Sequence, residues 1–80
     1  MYTIRFTKNS NPIVYDSFWR AIESLRQEIG SNHRQLVLAA LQDRHGAQLL
    51  KDRAINNGDE WEYIFQFPDE KTYALFLLRV

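Results

Sequence analysis

The chain contains no cysteine. Disulfide staples and thiolate metal centres are therefore excluded, and the core alone must hold the fold. Glycine and proline are scarce, at three and two residues. Gly30, Gly46 and Gly58 stand singly and no Gly-Lys-Ser/Thr sequence follows any of them, which excludes a glycine-rich phosphate loop. Neither sign of charge is in excess, because ten basic residues balance ten acidic ones. A polyanion is therefore offered no long-range attraction. The longest apolar run, Tyr73–Leu78, falls far short of the ~20 residues a membrane span needs. There is no internal repeat and no low-complexity tract.

What is present describes a small folded domain. Eighty residues leave room for one core, a single domain over 1–80. An apolar content of 45% with 14% aromatics suits a globule rather than a disordered tail. Met1 opens directly onto an alternating segment without a basic and apolar leader, so the expectation is a soluble, cytoplasmic protein with no membrane partner.

Two periodicities organise the chain. Tyr2, Ile4 and Phe6 alternate with Thr3, Arg5 and Thr7, the period of a half-buried strand. Asn9 to Pro12 is turn chemistry; Ile13–Tyr15 follows as a candidate second strand, with Asp16 or Ser17 capping a helix. Phe18, Ile22, Leu25 and Ile29 then recur at helical spacing, and Gly30 ends that helix. Ser31 or Asn32 is the expected cap of a second helix that buries Leu36, Val37, Ala40 and Leu41, with Leu38 beside them, and frays at Asp43–Gly46. Residues 47–55 admit two descriptions. The spacing of Ala47, Leu50 and Ala54 favours a helix through about Asp52, whereas Asn57-Gly58 downstream is a hairpin signal that favours a strand.

The clearest strand is Trp61–Phe67, where Trp61, Tyr63, Phe65 and Phe67 share one face and Glu62, Ile64 and Gln66 the other. These four rings are expected to face the core. Pro68, Asp69 and Glu70 then read as a helix start, with Tyr73, Phe76, Leu77 and Val80 at helical spacing; a hairpin arm over 70–80 is the alternative. The expected fold class is α+β, a small antiparallel sheet of Tyr2–Thr7 and Trp61–Phe67 packed against two central helices and a short C-terminal helix.

Catalytic chemistry finds little to work with. No thiol exists, Gly-x-Ser-x-Gly is absent, and Ser10, Ser17, Ser24 and Ser31 fall at turns, caps or helix surfaces. His33 and His45 lie twelve residues apart, about three turns on one helix, which is no metal pair. Glu60 and Glu62 share a strand face at about 7 Å, a glycosidase-like spacing, but so small a domain has no deep cleft to spare for them. A non-enzymatic protein without cofactor or metal is expected.

Charge is nonetheless sided along the chain. Five acids, Asp59, Glu60, Glu62, Asp69 and Glu70, follow one another with no base among them, while Arg34, Arg44, Lys51 and Arg53 make the middle segment basic. The acidic group is the first candidate face for a partner. The basic group is the second, suited to nucleic acid because seven of the ten basic residues are arginine. Tyr15, Trp19 and Tyr73 lie off or at the margin of the helical stripes, where large amphipathic rings anchor interfaces; exposed aromatics also suit a homodimer seam.

The closing sequence FPDEKTYALFLLRV resembles the ends of small accessory proteins encoded by phages and mobile elements, anti-CRISPR-type inhibitors among them: an aromatic strand, an acidic turn, then a short aromatic and leucine helix ending in Leu-Arg. The resemblance covers about a sixth of the chain and carries no functional residue across. It implies a protein that occupies a surface of a host protein or nucleoprotein complex and inhibits it without catalysis. Direct binding of nucleic acid through the arginine-rich middle is the alternative.

Overall fold

The computed structural model describes residues 1–80. In chain order the elements are β1 (Tyr2–Thr7), α1 (Pro12–Ile29), α2 (Arg34–His45), β2 (Gln48–Ile55), β3 (Glu60–Phe67) and α3 (Glu70–Arg79). The fold is α+β, as the periodicities require. The sheet has three strands in the order β1-β3-β2, with β3 antiparallel to both neighbours. The helical hairpin carries the chain from one sheet edge to the other, and the last strand enters between them.

Helix α1 begins earlier than the stripe suggests. Asn11 Oδ1 accepts the Val14 N–H at 3.2 Å and Pro12 occupies the first turn. Its fixed dihedral is already helical and its missing N–H costs nothing there. Ile13–Tyr15 is therefore a first helical turn, not a strand, and Asp16 and Ser17 lie inside the helix. The buried stripe runs Val14, Phe18, Ala21 and Leu25, with Ile22 half-covered and Ile29 exposed. Gly30 ends the helix at φ 72° and returns its N–H to Arg26 O.

Helix α2 has no side-chain cap. His33 precedes it in extended conformation, and Ser31 Oγ accepts the His33 N–H at 3.1 Å instead of capping. Val37 and Leu41 are buried and Ala40 and Leu38 half-buried, but Leu36 points to solvent.

Gly46 ends α2 at φ 71° and lies so close to α3 that a Cβ there would meet Thr72 Cγ2 at 3.1 Å and Pro68 Cδ at 3.2 Å. Beyond it the chain is a strand, which overturns the helix through Asp52. A bulge at Leu50 accounts for the misleading spacing. Leu49 opposes Phe65 and Lys51 opposes Ile64, so Leu50 is an extra residue that interrupts the period of two. Ala47, Leu50 and Ala54 thus do not share a helical face. The reversal into β3 uses Asn56, Asn57 and Gly58, all with positive φ.

On β3, Phe65 and Phe67 are buried and Tyr63 is half-buried, as the alternation demands. Trp61 departs from it and is 52% exposed. The β1 ladder stops at the Thr7–Glu62 pair, which leaves Trp61 only Ala54 opposite it on β2. Over residues 70–80 the helix is realised: Asp69 Oδ1 accepts both the N–H and the hydroxyl of Thr72 at 2.7 Å.

The core is a stack of rings. Phe18 lies 4.2 Å from Phe65, 4.6 Å from Phe76 and 5.1 Å from Phe6, so α1 joins β1, β3 and α3 through one side chain. Each fully buried ring contributes about 1.5–3 kcal/mol of transfer free energy. No helix is long and apolar enough to cross a membrane.

Candidate functional site

The five acids of the first candidate face divide between the two ends of β3. Asp59 and Glu60 flank the turn, with Asn56 Nδ2 donating to Glu60 at 2.7 Å, and Glu62 accepts from Arg53 Nε at 2.8 Å. Asp69 and Glu70 lie beyond the opposite end, roughly 25 Å away at ~3.3 Å per residue. Asp69 is held to its capping role, and the two bonds from Thr72 keep its carboxyl below the usual carboxylate range. The acids do not form one surface.

The basic group is dispersed as well. Arg34 donates to Asp52, Arg44 pairs with Glu28 on α1, and Arg53 pairs with Glu62 on the sheet face turned away from the helices. The bond from Arg44 holds the Glu28 carboxyl low. Lys51 alone forms no ion pair and shares that outer sheet face with Arg53. His33 and His45 lie at opposite ends of α2. No group of three or more His, Cys, Asp or Glu side chains is placed to hold a metal ion.

What the fold does assemble is an aromatic cleft between α1, the start of α2 and the inner face of the sheet. It has a volume of about 260 Å³. Its buried lining is Phe6, Phe18, Val37 and Phe65, and Ile22, Leu38 and Leu49 extend the apolar wall. Tyr15, Trp19 and Tyr63 supply half-covered rings at its margin. Tyr15 and Trp19, one helical turn apart on α1, stack nearly parallel at 6.4 Å, and Tyr15 lies 6.3 Å from Tyr63. Burial raises the Tyr63 phenol, which favours its neutral, hydrogen-bonding form.

Three charged groups complete the lining. The Arg26 guanidinium lies 5.3 Å from the Trp19 ring centre, within cation–π range, and its Nη1 donates to Glu23 at 2.8 Å. Its Nε is buried without a hydrogen-bond partner. Arg34 Nη2 donates to Asp52 Oδ2 at 2.7 Å, joining α2 to the edge strand.

Two of the three expected aromatic anchors therefore meet in the cleft, together with Arg34 from the basic group. Tyr73 does not join them; it packs at 5.2 Å against both Tyr2 and Phe67 on the far side of the core. Sequence reasoning missed Tyr63, Arg26 and Asp52. The alternation marks Tyr63 only as one of four core-facing rings, and Arg26 and Asp52 become site residues only through the packing of α1, α2 and β2. No protein-family model, curated protein or solved structure matches the chain.

Proposed function

We propose that the protein is a non-enzymatic binding module that occupies a surface of a macromolecular complex and inhibits it, and that its aromatic cleft receives an apolar projection of a protein partner. The observation that carries this is the rim of Tyr15, Trp19 and Tyr63 around an apolar cavity of about 260 Å³. Large half-exposed rings beside a concave apolar pocket are the usual anchors of protein interfaces, because they bury much area at little entropic cost. Trp19 is 46% exposed, a tryptophan the fold leaves outside its own core.

The ion pairs support a protein rather than a nucleic acid as the partner. Arg34, Arg44 and Arg53 each already hold a carboxylate, so phosphate contacts would have to displace those partners. Titration of labelled oligonucleotides at low and moderate salt should accordingly give no salt-sensitive binding.

A photo-crosslinking aromatic amino acid at position 19 tests the proposal in the cell of origin. A discrete adduct with one protein is expected from that position, and none from the same amino acid at Lys71 on α3. Equal labelling from both positions, or none from position 19, contradicts the proposal.

A further inference from the structure

We propose that β1 is a dimerisation edge: two copies of the chain pair their β1 strands antiparallel about a twofold axis at Ile4, joining the two three-stranded sheets into one continuous sheet. The inference concerns the sheet edge and stands apart from the cleft.

The last residue of β1 fixes the hydrogen-bonding phase of the strand. The Thr7 N–H donates to Ser10 Oγ at 2.8 Å and the Thr7 carbonyl accepts the Asn11 N–H at 3.2 Å, so both groups turn away from β3. Along an antiparallel ladder that direction alternates from residue to residue. Tyr2, Ile4 and Phe6 therefore bond β3, while Thr3 and Arg5 turn their N–H and C=O groups to the open edge. No turn, cap or side chain of the protein takes up the outward groups of Thr3 or Arg5, and both residues are exposed. Such a row of unpaired groups is a template for another strand.

The two edges of the sheet differ. On β2 a bulge at Leu50 breaks the row, Lys51 and Arg53 are exposed beside it, and Arg34 reaches across to Asp52. Bulges and edge lysines discourage strand addition. β1 has no bulge, no proline and one charge, in residues that favour extended backbone.

What fits this edge is the edge itself. A twofold axis sets a strand antiparallel to its own copy. With Ile4 opposite Ile4 of the second copy, Thr3 faces Arg5 and the two exchange both of their outward bonds. Tyr2 then faces Phe6 in the closer, non-hydrogen-bonded spacing, an aromatic cross-strand pair on the helix-covered side of the sheet. No like charges stand opposite each other. Moving the axis to Arg5 would oppose two guanidinium groups and call on Thr7 groups that Ser10 and Asn11 already hold. Moving it to Thr3 would leave Arg5 facing Met1, outside the strand. Charge and hydrogen bonding thus select a second copy in one register.

Sedimentation equilibrium from micromolar to millimolar concentration tests this, with the mass expected to rise from 9.5 kDa towards twice that value. Thr3→Lys, at an exposed position, should weaken the dimer roughly tenfold, because each lysine faces Arg5 of the other copy. Thr3→Lys combined with Arg5→Glu should restore it by setting opposite charges there. A disulfide gives a second readout, since the chain has no cysteine of its own. Ile4→Cys can be oxidised only against a second copy and should close faster than Lys51→Cys on the β2 edge. Circular dichroism checks that each variant folds, and Thr3→Cys with Arg5→Cys replaces Ile4→Cys if that one does not. A monomer at every concentration overturns the proposal and leaves the edge to a strand of another protein. So does a dimer that Thr3→Lys leaves unchanged, or a disulfide that forms no faster on β1 than at position 51.

Discussion

Arg34, the first residue of α2, donates from Nη2 to Asp52 Oδ2 on β2 at 2.7 Å, a pair that spans eighteen residues and ties the helical hairpin to the sheet edge beside the cleft. The Arg34 side chain is 64% exposed, so solvent screens the attraction and the pair contributes at most about 1 kcal/mol. Its removal by Asp52→Asn should lower stability by less than that in urea unfolding, with the small loss vanishing in high salt. A loss of several kcal/mol would mean that the pair holds the hairpin in place.

Neighbours on α1 should separate stability from binding. Phe18 lies within 6.1 Å, ring centre to ring centre, of Phe6, Phe65, Phe67 and Phe76. Phe18→Ala is expected to cost about 3–5 kcal/mol, enough to unfold a substantial fraction of so small a domain. Trp19→Ala should cost about 1 kcal/mol or less, because nearly half of that side chain is in water, yet abolish partner capture. Urea melts paired with the crosslinking readout distinguish the two.

Backbone conformation and crowding should separate at two glycines. Gly30 and Gly46 have nearly the same positive φ, 72° and 71°, but a Cβ at Gly30 meets nothing within 4 Å. Gly30→Ala should cost about 1 kcal/mol for the left-handed conformation alone. Gly46→Ala adds the clash with Pro68 and Thr72 and should cost clearly more, with the difference visible in the melting temperatures.

His45 gives the fold a pH dependence near neutrality. Its ring sits edge-on to Phe76 at 5.2 Å with Nδ1 buried and unpartnered. Burial, then the charges of Arg79 and Arg44, lower its pKa from the ordinary 6.5. The unfolded chain therefore binds a proton at a higher pH than the folded one does. The contribution is fully present above pH 6.5 and is lost as pH falls from there through the folded value. Denaturant midpoints from pH 8 to pH 5 should fall over that interval, and His45→Gln should flatten the fall.

Legibility in the sequence followed the strength of the local signal. The alternation of Tyr2–Thr7, that of Trp61–Phe67 except for the exposed Trp61, and the glycine stop at Gly30 each rest on one local rule, and each is realised. Strand β2 was obscured because one extra residue, Leu50, shifts every side chain after it by one position and breaks the period of two. The start of α1 was hidden because Asn11-Pro12 serves a turn and a helix cap equally well. Local structure also claimed residues that looked functional. Asp69 caps a helix, Glu62 neutralises Arg53, and Tyr73 closes the core beside Tyr2. The cleft drew on Tyr15 and Trp19, which their chemistry marked out, and on Arg26 and Asp52, whose meaning comes only from residues far away in the chain.

The most direct test of the cleft is a methyl NMR titration with indole on the isotopically labelled protein. Saturable shifts at Val37, Leu38 and Leu49, which line the cavity, with none at the exposed Leu75 and Leu78 of α3, are the predicted result. Shifts centred on α3, or none that saturate, would contradict the assignment of the cleft as the binding surface.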